Sequence, residues 1–187
     1  MNDSVVAVGS DGIGRSSIEV GFSPASGDSS WTSAWVSSEV PYEQTPIEDL
    51  TQSAFLWGNF TVDVVFRVGS IDFGEHARGV AVLDFVLMLE AARRSAVTGD
   101  VVELELSDRQ GLWCFAVREA GVIEVCFQQA AKDGWRGAGA GCCRLAEFEA
   151  GVDRALTTAL ELIFERQPVA RGNRYLQRLA ANGLSAA

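Results

Sequence analysis

The residues best suited to chemistry lie next to each other around the one histidine of the chain. Glu75 and His76 are adjacent, and a carboxylate beside an imidazole is the pair of groups that general acid–base catalysis uses. Asp84 follows as a carboxylate inside the apolar run at 80–89. These three residues are the candidate pocket of a small enzyme or ligand-binding protein. A helix-entry turn and a hydrogen-bonded structural aspartate would explain the same residues.

No complete catalytic motif accompanies this candidate pocket. The glycine-rich run at 9–14 lacks the Lys-Ser/Thr of a phosphate loop, and the sequence contains no GxSxG or HExxH pattern. Glu103, Glu105 and Glu124 fit one face of a sheet, as a glycosidase pair would. Solvent-facing strands of antiparallel sheets commonly carry such side chains. We therefore predict that the protein is not an enzyme.

The four cysteines show no metal-binding spacing. Cys142 and Cys143 are adjacent, Cys114 and Cys126 stand apart, and His76 is far from all four in the sequence. A zinc site needs four ligands at characteristic spacings. We expect neither a metal nor a cofactor.

Negative charge is concentrated in the first part of the chain. The net charge is −10, and residues 1–76 hold eleven acidic side chains against Arg15 and Arg67, a net −9. Such a field repels nucleic acid and anionic membranes and favours a basic partner. There is no signal-peptide pattern and no apolar run of membrane length, so we expect a cytoplasmic protein.

Tryptophans lie close to these acidic residues. Five tryptophans exceed what a core of this size needs, and Trp31 and Trp35 have polar neighbours in the sequence. Aromatic rings among carboxylates are typical of protein interfaces. The predicted partner-binding residues are Trp31, Trp35, Glu39, Glu43, Glu48 and Asp49.

The pattern of the whole chain predicts one α+β domain at 17–187 behind a flexible arm at 1–16. The sheet is mainly antiparallel with about five to seven strands. A buried central helix at 77–96, with Leu87 in the core, and an amphipathic helix at 147–166 pack on one face. We expect strands at 17–22, 31–38, 54–68, 101–106, 112–118, 122–128 and 142–146, and short helices at 45–50 and 171–181.

One hairpin can be registered from the sequence. A three-residue loop with Gly121 in the left-handed conformation pairs residue 118 with residue 122. This register places Trp113 opposite Phe127 on an apolar face and Cys114 opposite Cys126 on the other, and a slip of one residue would mix the faces.

The order of these elements resembles that of small bacterial immunity proteins of polymorphic or contact-dependent toxin systems. The resemblance covers most of the chain: strands with Trp31 and Trp35, the strand ending at Val68, the central helix with Leu-Asp-Phe at 83–85, the meander at 101–128 and the closing helices. It implies an acidic single-domain protein that blocks a cognate toxin, often a basic nuclease. No functional residue is carried over.

The sequence thus predicts a non-enzymatic module that binds a basic protein. Carboxylates would speed the encounter, and tryptophan rings would supply most of the affinity. One alternative is a small enzyme or ligand-binding protein with a pocket between sheet and helices near Asp84. Another is an acidic homodimeric secretion chaperone, which requires an exposed apolar groove and two-fold self-association.

Overall fold

The structure, a computed structural model, describes residues 17–40, 43–107, 110–132, 134–137 and 139–182. The arm predicted at 1–16 lies outside these residues. Within them the strands are β1 (Ile18–Pro24), β2 (Ser37–Val40), β3 (Glu43–Thr45), β4 (Thr61–Val68), β5 (Ile71–Asp72), β6 (Val80–Ala81), β7 (Val102–Leu104), β8 (Leu112–Arg118), β9 (Val122–Ala131), β10 (Gly134–Gly137) and β11 (Gly141–Arg144). The helices are α1 (Gln52–Leu56), α2 (Val82–Thr98), α3 (Leu145–Arg166) and α4 (Arg174–Asn182).

The strands divide between two sheets and a hairpin. In the described residues β4 pairs with β1, β5 and β6, while β9 pairs with β8, β10 and β11, and β7 extends the second sheet beyond β8. β2 and β3 form a separate hairpin. Every one of these described pairings is antiparallel. The predicted α+β class is confirmed.

The register predicted for the hairpin of β8 and β9 is confirmed. Trp113 pairs with Phe127 and Cys114 pairs with Cys126, and Gly121 has a φ of +70°. Strict alternation explains the success, because a slip of one residue would bring polar side chains to the buried face.

The central helix α2 is buried, as its apolar composition predicts, but it begins five residues later than expected. Residues 80 and 81 instead pair with β4, and the carbonyl of Ala77 accepts a hydrogen bond from the Val64 amide. Because these backbone groups form hydrogen bonds within the first sheet, they cannot form the hydrogen bonds of a helix. Leu87, predicted in the core, is only partly buried and packs against the core.

Helix α3 closes the other side of the core. Its apolar positions recur with helical spacing and are buried from Phe148 to Ile163. Gly151 permits close contact with the first sheet, since a Cβ there would lie 2.7 Å from Cγ2 of Ile18 in β1. The helix predicted at 147–166 therefore exists and packs against both β1 and α2.

The N-terminal half departs most from the predictions. The long strand expected at 54–68 is a short helix, α1, then a turn and β4, because Gly58 and Phe60 both have positive φ. The strand expected at 31–38 is a 3-10 turn at Ser29–Trp31 followed by β2. Both differences arise in segments that pack around the Phe60 ring.

Two large groups of contacting aromatic rings lie in the core of the described residues, in addition to the pair of Phe115 and Phe148. The Phe60 cluster consists of Trp31, Trp35, Phe55, Phe60 and Tyr175. The Trp113 cluster consists of Phe66, Phe73, Phe85, Trp113 and Phe127. The first lies beneath the predicted partner surface, and the second lies beside the histidine.

Candidate functional site

Trp31 is buried, so its predicted place on an exposed binding surface is wrong. Its side chain is 8% exposed, its Nε1 donates to the carbonyl of Thr61 at 2.7 Å, and its ring meets Phe60 edge-on at 5.2 Å. Asp28 holds this segment in place by accepting from the amide and the hydroxyl of Thr61. The indole N–H of Trp31 thus has its hydrogen-bond partner inside the fold. The polar residues near Trp31 in the sequence help to hold this segment in place.

Trp57 is an exposed ring that is not among the predicted partner-binding residues. Trp35 is half-buried and meets Phe60 edge-on at 5.3 Å, whereas Trp57 is 59% exposed at the end of α1 and Val36 is 44% exposed beside Trp35. The signal for Trp57 was Gly58, which ends the helical segment and turns the next residues into the core. We define the Trp57 surface as the exposed side chains of Val36, Glu48, Asp49 and Trp57.

The carboxylates of this surface are on a firmly held turn. Glu48 and Asp49 are exposed in the 3-10 turn Ile47–Asp49. Asn173, 1% exposed, donates through Nδ2 to the carbonyls of Ile47, Glu48 and Leu50 at 2.9 to 3.2 Å. The turn is therefore anchored to the start of α4.

Two further predicted partner residues lie on the β2–β3 hairpin. Glu39 is within β2, and Glu43 in β3 pairs with Val40. The side chains of Glu39 and Glu43 are outside the described part of the structure.

The acidic turn adjoins the basic C-terminal segment. A Cβ at Gly172 would lie 2.9 Å from Cγ of Glu48, and Arg171 and Arg174 are exposed on either side of that glycine. The fold thus brings arginines next to an acidic segment that is more than 120 residues away in the sequence. The field at the Trp57 surface is consequently less negative than the charge of residues 1–76 suggests.

Asp84 is a structural carboxylate. It is 9% exposed in the first turn of α2, and it accepts from the amide of Ser107 at 2.7 Å and from its hydroxyl at 2.8 Å. Asp84 therefore ties the segment after β7 to the central helix.

Glu75 and His76 are in contact but face different depressions. The imidazole Nε2 lies 3.4 Å from Oε1 of Glu75 in the 3-10 turn Gly74–His76. Glu75 faces an open groove of about 750 Å³ beside β4, in which the Gly74 amide and Arg67 lower the pKa of Asp72. His76 lines a separate cleft of about 300 Å³. Asp84 lines neither, so the predicted three-residue pocket is not assembled.

All four cysteines are free thiols, and burial lowers the reactivity of two of them. Burial, together with the neighbouring Cys126, raises the pKa of Cys114 to about 12, and burial raises the pKa of Cys143 to about 12. These two thiols stay protonated at neutral pH and are poor nucleophiles. Among the described residues no cluster of His, Cys, Asp and Glu is arranged to hold a metal ion.

The described helices include none with the length and apolarity that crossing a bilayer requires. Comparisons of the chain with protein-family models, with curated proteins and with solved structures found no match. The choice of a function therefore rests on the arrangement of the chain's own residues.

Proposed function

We propose that the protein is a non-enzymatic binding module that holds a basic protein partner on the Trp57 surface. The exposure of Trp57 on a rigid base carries the proposal. Contact with a partner would remove from water the apolar surface of a large ring that is 59% exposed, and tryptophan is enriched among the residues that dominate binding.

The base of this surface is preorganised. Gln167, buried at 2% exposure, donates to the carbonyls of Ser30 and Thr32, and Ser30 Oγ accepts from the Phe60 amide at 2.7 Å. These bonds hold the loop that precedes Val36. A surface that is already ordered loses little conformational entropy when a partner binds.

The charge of the chain favours a basic partner. Glu48 and Asp49 are exposed on the turn that precedes α1, the helix whose C-terminal end carries Trp57, and the net charge is −10. Carboxylates at an interface steer a cation-rich partner and raise the association rate, while the ring supplies affinity once water is excluded. Within this class, the resemblance in element order favours an immunity protein that neutralises a basic toxin.

The test is recovery of a protein partner from native cells, followed by binding measurements on matched variants. Trp57→Ala should weaken affinity roughly thirtyfold or more, since a central tryptophan contributes about 2 kcal/mol or more. Val97→Ala, which shortens another exposed apolar side chain on α2, is the control and should leave affinity unchanged.

A second matched pair of variants tests the electrostatic contribution to binding. Glu48→Gln with Asp49→Asn should slow association, whereas Glu103→Gln with Glu105→Gln, in and just after β7, changes the net charge equally and should not. The wild-type association rate should fall as salt rises from about 50 to about 500 mM, because exposed charges are screened over about 10 Å at 0.1 M. A partner that binds the Trp57→Ala variant as tightly as the wild type would contradict the proposal.

A further inference from the structure

The cleft beside His76 is formed by elements that the proposed protein-binding surface does not use. It has a volume of about 300 Å³. We name it the His76 cleft, and its lining residues are His76, Leu106, Gln110, Gly111, Trp113, Phe127 and Gln129.

Three buried residues form the floor of the cleft. Trp113 and Phe127 are opposite each other across β8 and β9 with ring centroids 4.9 Å apart, and Leu106 is also buried. The imidazole of His76 stacks on Phe127 with centroids 4.3 Å apart and ring planes 22° from parallel. The floor and one wall are therefore formed largely by aromatic rings, with the Trp113 ring inclined by 55° to that of Phe127.

Gly111 packs directly against the Phe127 ring. A Cβ at that position would overlap the ring of Phe127, so a larger residue would displace the ring that carries His76. The absence of a side chain lets the backbone before β8 approach the aromatic floor.

The mouth of the cleft has unused hydrogen-bonding groups. Gln110 and Gln129 are exposed, and within the described residues neither carboxamide makes a hydrogen bond to the protein. Each carboxamide offers a donor and an acceptor, and His76 lines the same cleft. This arrangement suits a ligand whose edge carries both a donor and an acceptor.

We propose that the His76 cleft binds a small neutral heteroaromatic molecule, about the size of nicotinamide or a single nucleobase. A planar ring suits the aromatic floor, and its polar edge can pair with the carboxamides. The volume is at the lower end of the range for ligand sites, which limits the ligand to one or two rings. Among the described residues no lysine or arginine lines the cleft, and the protein carries a net −10, which disfavours an anion.

The single histidine of the chain makes this proposal directly measurable. Its imidazole signal in an NMR spectrum needs no further assignment, so nicotinamide, cytosine and adenine can each be titrated against it. We expect a saturable shift with at least one of these neutral probes. Benzoate, which is flat but anionic, should produce no saturable shift.

Variants at the mouth separate this site from general surface effects. Gln110→Ala and Gln129→Ala should each weaken the binding of the responding probe roughly fivefold, the effect of one lost hydrogen bond. Gln52→Ala truncates an exposed glutamine on α1 and should have no effect. The proposal fails if no neutral probe shifts the signal, if benzoate binds equally well, or if the two mouth variants bind like the wild type.

Discussion

The Phe60 cluster and the Trp113 cluster are held in place by different kinds of interaction. Around Phe60 the chain is mostly loop, and buried polar side chains such as Ser30, Gln167 and Asn173 pair with its backbone groups. Around Trp113 four of the five rings project from paired strands and from α2, whose backbone groups are already bonded, and the fifth, Phe73, directly follows β5.

The difference follows from the rule that buried backbone groups must find hydrogen-bond partners. Strands satisfy each other, so the rings between them need no polar support, and the Trp113 cluster can open into a cleft at its edge. Loops have no such ladder. The Phe60 cluster therefore depends on amide side chains that come from more than 120 residues away in the sequence.

The largest expected loss of stability comes from a substitution beside the Phe60 cluster. Asn173→Ala removes bonds to three carbonyls and to the amides of Tyr175 and Leu176. Leaving such buried groups unpaired should lower the free energy of unfolding by about 3 kcal/mol or more. Urea unfolding followed by circular dichroism measures this loss. Gln44→Ala truncates an exposed amide as a control, and a loss below about 1 kcal/mol for Asn173→Ala would show that loops here do not need polar anchors.

A smaller effect is expected in the Trp113 cluster. Gly111→Ala forces a methyl group against Phe127, and overpacking of this kind costs about 1–3 kcal/mol. The same change should abolish the nicotinamide response of His76 if that probe binds. Gly139→Ala is the control, because a Cβ there meets only Ile71 at an ordinary contact distance of 3.5 Å. Equal stability of the two variants would mean that Phe127 has room to move and that the cleft is not rigid.

The smallest expected effect concerns an exception within the Phe60 cluster. The hydroxyl of Tyr175 is buried with no hydrogen-bond partner among the described residues, and burial raises its pKa to about 12. Tyr175→Phe keeps the ring beside Phe55 and should leave stability at pH 7 unchanged or raise it by up to about 1 kcal/mol.

The sign of the pH dependence follows from the same pKa. The folded state favours the neutral phenol, so this contribution to stability is fully present below about pH 10 and is lost as the pH rises towards 12. Urea unfolding at pH 7 and at pH 11 should therefore show a smaller alkaline loss for Tyr175→Phe than for the wild type. Cys114 and Cys143 titrate in both proteins and cancel in the comparison. If Tyr175→Phe loses as much stability as the wild type between pH 7 and pH 11, the Tyr175 hydroxyl of the wild type is in contact with water.

Elements with a strong repeating pattern could be predicted from the sequence. The alternation from 112 to 128, with Gly121 at the turn, determined the pairing of Trp113 with Phe127, and helical spacing determined α3. These features depend on residues close together in the chain. The strand register and the packing side of the helix follow from which faces of these elements are apolar.

Only the tertiary structure determined where the candidate site residues lie and which of them are exposed. Trp31 was buried because Thr61, thirty residues away, accepts its indole N–H, and Trp57 was left exposed by the turn that carries Phe60 into the core. His76 was separated from Asp84 because Phe127 stacks against one and Ser107 binds the other. Periodicity reports which face of an element is apolar, but it contains no information about which distant backbone group or ring will lie against a polar side chain.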